Sequence, residues 1–525
     1  MDVLRMRGEF LPVHWRTDFP EAAAHGGFDV IIANPPWDVI LPYRAEFFRD
    51  YIPDYGRLDT REAMKAEKTL LARDPAVRGI WQAYRKRVTT LNAYFLKTYA
   101  SLQPRRGDGT FLRGHNNIYK VFLEKIYLLL AKDGLCGIIV PDNLNIDSAC
   151  TGLRRLLLQK TTIRELVTFV NRRKLFDIHG QYKFDVLTFM KRRPSPDAAF
   201  DAGFSWYDPV WLDGRPSAAH MAEHPLNAGR YHRRFRYPVA AILRNDPDTL
   251  TIWEFGSAGG MNVLGKLKSF PCIGDPEEEL HILTSTEFNM TTDSDLFRRG
   301  GNGWPLFQGR TIHHYNASFG PVERRVDPVE GEKRLARRRR SSPDELPDRN
   351  YRLAWRVIAQ ATDSRSLIGT VIPPRVFCGN ALNAAEIIYK GKMVSDPELL
   401  SGLNVILSSL CTDFYVRLRS AKNVSAFIVK SVPVPRDIPA IRKLGRLALP
   451  LYLGAAFAAF RGSVPEMPDP EERIRRIALL DAMTARLYGL GSEEYGLVLD
   501  SFPLLDEVVK RLYREAFGRE EKNGF

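Results

Sequence analysis

Asn34-Pro-Pro-Trp37 brings an amide, two prolines and a flat indole together in four residues. An amine attached to an aromatic ring is a poor nucleophile, because its lone pair is delocalised into the ring. Two acceptors that hold its N–H protons draw the nitrogen toward a tetrahedral geometry and localise that pair. The Asn34 side-chain oxygen and the Pro35 carbonyl can serve as those acceptors. Proline fixes φ and lacks an N–H, so Pro35 and Pro36 keep the carbonyl in one orientation. Trp37 offers a face on which a nucleobase can stack, worth about 1–3 kcal/mol per base. The chemistry this suits is methylation of an exocyclic amine on a flat ring, and it needs neither a metal nor a strong general base.

Other reactive residue types are scattered. Cys136, Cys150, Cys272, Cys378 and Cys411 form no C-x-x-C pair and join no histidine at zinc spacing. A disulfide framework and a structural zinc are therefore not expected. His179 sits beside Gly180 in a turn-like stretch, and His313-His314 lack partners at metal-ligand spacing. No metal site is assigned.

The elements must place Asn34 at a sheet end. Phe28–Ala33 is short, apolar and β-branched, which predicts a strand buried on both faces of a parallel sheet. Two prolines end it, so Asn34 and Trp37 fall at its carboxyl end, where open α/β sheets bind ligands. Residues 38–110 read as a helical insertion over that end. Apolar residues at 118, 122, 126, 129 and 130 predict a helix closed by Asp133-Gly134. Strands are predicted at 135–140, 163–170 and 184–190, with a helix at 151–160. The stretch from 194 to about 240 is rich in Pro, Asp, Gly and His and reads as a connector. Lys333–Arg340 reads as a solvated basic loop, and Gly256–Gly265 as a Gly-rich loop. Helices are expected at 398–420 and from 436 onward, including an amphipathic one over 471–488.

The 525 residues suggest about three domains by the usual domain size. A content of 44% hydrophobic and 26% charged residues excludes disordered and fibrous classes. Lys plus Arg is 76 against 62 Asp plus Glu, a formal charge of +14, which favours a polyanionic partner. No apolar run approaches the 18–20 residues or so of a membrane span, and a cytoplasmic protein without a membrane partner is expected.

Several motifs in order resemble one family. Gly26-Gly-Phe-Asp-Val-Ile-Ile-Ala-Asn-Pro-Pro-Trp37 resembles the fourth motif of amino-group DNA methyltransferases. The likeness is to the large adenine-N6 enzymes of type IIG restriction–modification and phage-defence systems. Asn117-Ile-Tyr119 with Phe122 resembles their fifth motif. Gly137–Pro141 resembles the strand after it, and Leu175-Phe176 with Tyr182–Phe189 their eighth motif. Trp304–Tyr315, Tyr351–Arg356 and Leu367–Pro374 resemble segments of their target-recognition region. Phe427–Pro435 and Ala485–Gly489 resemble their C-terminal part.

The resemblance implies an α/β fold: the C-terminal half of a doubly wound methyltransferase sheet, an α+β target-recognition domain and a helical C-terminal region. The expected boundaries are 1–195 for the partial methyltransferase domain, 196–239 for the connector, 240–435 for recognition and 436–525 for the helical end. It implies S-adenosylmethionine as cofactor and a site-specific, adenine-specific DNA methyltransferase activity. Asn34, Pro35, Pro36 and Trp37 would be catalytic, with the flipped base stacked between Trp37 and Phe176. Asp29, Asn117, Tyr119 and Phe122 would line the cofactor site, and Arg310, His313, Arg352, Arg356 and Lys422 would contact double-stranded DNA.

The family's Phe-x-Gly-x-Gly cofactor loop has no counterpart ahead of Asn34. That predicts a fragment or split subunit completed by a companion chain, inactive or weakly active alone. Two alternatives are a non-catalytic DNA-binding remnant or specificity subunit, and a methyltransferase acting on protein glutamine or RNA.

Overall fold

A computed structural model describes residues 13–523, apart from 106–108, 113, 213–233, 341–345, 359–362 and 420–422. The chain divides into two compact units, Met1–Ala258 and Gly259–Phe525. Both mix helices and strands, so the class is α/β.

The first unit is built on a six-stranded sheet of order β1-β2-β4-β3-β5-β6. The strands are β1 Phe28–Ala33, β2 Leu130–Pro141, β3 Thr162–Val170, β4 Lys183–Met190, β5 Ala199–Trp206 and β6 Phe235–Pro238. β1 runs parallel to β2, and β3 parallel to β5, while β4 lies antiparallel to both β2 and β3. The helices Ile118–Leu129 and Thr151–Lys160 precede β2 and β3. Their buried Leu123, Ile126, Leu153 and Leu157 share the core with Ile138, Leu166 and Leu187. The predicted insertion is helical, with Arg44–Arg49, Thr60–Arg73 and Pro75–Thr98. Asp59 and Asp74 cap the latter two through their first backbone N–H groups.

Three expectations change here. β1 is not buried on both faces. Among the described residues it pairs only with β2, and Val30 and Ile32 are 57% and 85% exposed. Its apolar composition would suit a central strand, yet no element among the described residues pairs with its outer edge. The stretch read as a connector supplies β5 and β6. Phe200, Ala202 and Phe204 alternate inward, a period-two pattern that the intervening Asp201 and Gly203 disguised, and a bulge at Ser205, at φ +55°, turns Trp206 onto the Gly203 face. The helix before β2 ends at Leu129 and the strand begins at once with Leu130; Asp133, at φ +65°, sits inside β2 where its register with β1 shifts. Gly27 permits β1 to start beside β2, since a Cβ there would lie 2.5 Å from backbone atoms of Leu129–Ala131.

The second unit holds two sheets and a helical end. One sheet joins Gly369–Ile372, Arg352–Arg356, Leu382–Tyr389 and Lys392–Met393, with Leu280–Ser285 also on Leu382–Tyr389. A smaller one joins Phe377–Cys378, Trp304–Phe307, Arg325–Val326 and Phe297–Arg298. Helices Pro397–Leu407, Leu410–Arg419, Ile438–Ala448, Pro470–Leu487, Ser492–Asp500 and Glu507–Asn523 form the end. No single described helix is long and apolar enough to cross a membrane. The bent pair Pro397–Leu407 and Leu410–Arg419 passes by length and composition, and its apolar residues are buried core.

Two further corrections fall in this unit. The basic run is not a loop. It closes the helix Pro328–Arg339, where Arg334 and Arg338 both reach Asp293 at 2.6 Å and Arg339 reaches Glu386 at 2.5 Å. The Gly-rich stretch is largely the helix Ala258–Leu267, in which Gly260, Val263, Leu264 and Leu267 are buried.

Candidate active site

The register Ala33↔Ile138 sets Asn34 level with the last residues of β2. Asp142 follows β2 directly, and antiparallel β4 starts at that end with Lys183. One sheet end therefore collects Asn34–Trp37, Asp142 and Tyr182-Lys183.

Asn34 is exposed, and among the described residues its side-chain amide makes no hydrogen bond. Pro35 is buried behind it and Pro36 exposed. The turn is held from the far side. The Asn117 side-chain N–H donates to the Trp37 carbonyl at 3.0 Å, Ile118 N–H to the Asp38 carbonyl at 2.9 Å, and Ile40 N–H to the Asn116 carbonyl at 2.7 Å. The tetrapeptide thus has a fixed backbone and a free amide.

Trp37 is half-buried in an aromatic cluster. Phe176 meets it edge-on, with centroids 5.4 Å apart at 66°, and Tyr182 lies nearly parallel at 6.1 Å and 12°. Phe184 packs against both Trp37 and Phe176. A base sandwiched between two rings needs about 7 Å, twice the 3.4 Å stacking repeat. The expected slot between Trp37 and Phe176 is therefore closed in this arrangement. The two rings are brought together, as neighbours and not as opposed walls. Trp37 Nε1 is buried without a hydrogen-bond partner among the described residues.

Sequence reasoning missed the residue that sets Phe176. Asn171 is fully buried at the end of β3. Its side-chain N–H groups donate to the Phe176 and Ile178 carbonyls at 2.9 and 3.1 Å, and its oxygen accepts from Phe176 N–H at 3.1 Å. Lys174, at φ +50°, turns the loop between them. An Asn at a strand end, followed by a basic turn and an aromatic, is the only trace of this clamp in the sequence. Tyr182 was quoted only as part of a motif, yet it is the ring parallel to Trp37 and is 40% exposed.

A polar layer lies next to these rings. Asp185 is wholly buried and accepts from Thr168 Oγ1 at 2.5 Å and Asn145 Nδ2 at 2.9 Å. Burial pushes its carboxyl well above the carboxylate range, and Asp142 adds to this. Burial, with Glu254 nearby, pushes the Asp142 carboxyl up to about 6. Lys183 Nζ donates to Glu254 at 2.6 Å, and Ser205 Oγ donates to the same oxygen at 2.9 Å.

The residues expected to hold S-adenosylmethionine do not converge. Asp29 lies near the amino end of β1, five residues and about 16 Å of strand before Asn34. Its carboxylate pairs with His25 at 2.9 Å. Tyr119 is fully buried, with its hydroxyl 3.5 Å from Cys150 Sγ. The Asn117 amide is spent on Trp37, and Phe122 is 43% exposed. The one Gly-rich segment is helical. The described residues do not form a cradle for that cofactor.

The expected DNA contacts also separate. Arg352 is buried and cannot reach a phosphate. Its guanidinium pairs with Glu287 and donates to the Val376 carbonyl at 2.7 Å. The other Glu287 oxygen accepts from Cys378 N–H at 2.7 Å. Arg310 is half-exposed and paired with Glu323. His313 and Arg356 lie near each other beside Phe319. Lys422 falls outside the described residues.

Residues 87–176 match the family model described as Eco57I restriction-modification methylase. The match is consistent with a restriction–modification methylase family member; it includes Asn117, β2, β3 and Phe176, and Asn34–Trp37 precedes it. No curated protein matches the chain. Among solved structures, the chain is similar to the Type IIL restriction-modification enzyme MmeI in complex with DNA, at 10% identity and a TM-score of 0.43, over 96% of this chain and 59% of that one. It is similar to the type IIG restriction endonuclease BpuSI at 11% identity and 0.30, over 77% and 50%. It is similar to DrdV in a DrdV–DNA complex at 10% identity and 0.34, over 81% and 45%. The chain thus spans less than two thirds of the length of each.

Proposed function

We propose that this chain carries the target-amine site and the DNA-recognition part of a restriction–modification DNA methyltransferase that modifies adenine at N6. The observation that supports it most is the Asn34 amide. It is unpartnered, exposed at the carboxyl end of a sheet strand, and seated on a backbone that Asn117, Ile118 and Ile40 fix from behind. In this reading the Asn34 oxygen and the Pro35 carbonyl hold the two N–H protons of the adenine amine, which localises its lone pair toward the methyl donor. These interactions strengthen as the bond forms, so they act on turnover more than on binding. The base approaches Trp37 from its solvent side, or the loop 171–182 swings Phe176 aside.

S-adenosylmethionine is the methyl donor of this reading, and residues beyond those described, on this polypeptide or on a companion one, supply most of its cradle. The edge of β1 that no described strand pairs with, and the exposed Val30 and Ile32, favour a further strand added there. The +14 charge favours duplex DNA as substrate. That the described residues form no cradle equally favours a non-catalytic DNA-binding remnant, and one experiment separates the two. The gene is deleted in the organism that encodes it, and genomic N6-methyladenine is mapped. Loss at a defined sequence, restored by the wild-type gene and not by Asn34→Ala, supports the methyltransferase. An unchanged map overturns it and leaves the remnant.

A further inference from the structure

Phe319 is a large apolar ring in a polar loop of the second unit, and it is 57% exposed. The loop that carries it is rigid. His313 and Asn316 exchange backbone hydrogen bonds of 2.8 and 3.0 Å across a tight turn, with Tyr315 between them at φ +54° and buried. Asn316 Oδ1 accepts from Ser318 N–H at 2.8 Å. Phe319 N–H then donates to the Thr311 carbonyl at 2.9 Å, which returns the chain to its starting point. Thr311 is itself anchored, donating its N–H to the Gln308 carbonyl at 2.8 Å.

The ring has two polar neighbours. The His313 imidazole lies 4.8 Å away at 34°. The Arg356 guanidinium carbon lies 5.8 Å from the ring centroid. Arg356 ends the strand Arg352–Arg356, and its Nε and Nη2 both donate to the Ile312 carbonyl, at 3.1 and 2.7 Å. Burial, together with the Arg356 charge, lowers the His313 pKa and keeps its ring neutral. An aromatic face on a pre-ordered loop, flanked by a neutral imidazole and a fixed cation, matches what an unstacked nucleobase with its neighbouring phosphate requires.

We infer that Phe319, with His313 and Arg356, is a stacking point for a nucleobase displaced from the duplex, a contact that holds DNA in a distorted state. It rests on the proposed DNA methyltransferase reading and adds a base-stacking site in the second unit, separate from Asn34–Trp37. An exposed ring on a rigid loop can take over the stacking that a base loses on leaving its neighbours, as apolar wedges do in DNA-bending proteins.

The test uses the full chain and two fluorescein-labelled random-sequence duplexes, one fully paired and one with a short internal run of mismatches. The wild type is expected to prefer the mismatched duplex by about tenfold or more, the worth of one stacked base. Phe319→Ala is expected to abolish that preference while leaving affinity for the paired duplex within about threefold and its salt dependence unchanged. Phe319→Trp keeps the preference, and matching thermal melting of the variants shows that folding is intact. Wild-type preference that survives Phe319→Ala, or no preference at all, overturns this inference while DNA binding stands. Failure of the wild type to bind either duplex overturns the DNA-methyltransferase reading and this inference with it.

Discussion

Asn34 and Arg352 show how far single residues reveal their work. If Asn34 holds the amine, Asn34→Ala lowers methylation by several orders of magnitude wherever activity is reconstituted. DNA affinity changes by less than about threefold, because the lost contact belongs mainly to the transition state. Equal losses in both would make Asn34 a structural residue. The place of Asn34 at the end of β1 was legible because it depends on local features, a strand followed by two prolines. Arg352 was not, because its partner Glu287 is 65 residues away and pairs through tertiary packing. It was taken for a phosphate contact and is instead half of a buried ion pair. Arg352→Met leaves Glu287 charged and buried, so the second unit should lose about 3–5 kcal/mol of stability in urea melts. Replacing Glu287 by Gln in the same chain should recover much of it. A lowered salt slope for DNA binding, without loss of stability, would restore the phosphate role.

At the level of elements, periodicity carried most of the information. The strands near 135–140, 163–170 and 184–190 and the late helices were legible from apolar runs and 3.6-residue spacing. β5 was hidden by Asp201 and Gly203, and the basic helix Pro328–Arg339 by its charge, because neither local pattern reveals which acids lie opposite. The buried acid of the helical end was equally silent. Asp481 accepts from Leu410 N–H and from Tyr495 Oη, both at 2.8 Å. Burial pushes its carboxyl up to about 6. A folded-state value above the unfolded one means that the native state binds the proton more tightly. Stability from this group therefore rises as pH falls from about 6 to about 4, and is lost as pH climbs back through 6. The full swing is about 3 kcal/mol. Asp481→Asn should remove that component, and melting temperatures of the two proteins at pH 5 and 7 should differ accordingly. Parallel pH profiles would show that Asp481 stays charged in the fold.

For the whole molecule, the +14 charge sets an expectation that no single residue can. Log affinity for duplex DNA should fall linearly with log salt, at about −0.9 per phosphate neutralised, and a flat response would remove DNA as the partner. The class and the helical end were legible from the sequence, whereas the division at Ala258–Gly259 was not, because β5 and β6 join the first sheet from a stretch that looks like linker. The loop lengths also predict an order of assembly for the sheet. β3 and β4 are separated by a short loop, from Val170 to Lys183, and can pair early. β1 meets β2 only by closing the long stretch between Phe28 and Leu130, and among the described residues it gains a partner on one side alone. Loop closure of that length is paid before any contact repays it. The strand that carries Asn34 is then the last of the sheet to be fixed and the first to be released. Backbone amides of β1 should exchange with deuterium well ahead of those in β3 and β4, and a refolding chain should fix the Asn34 turn only after β3 and β4 have paired.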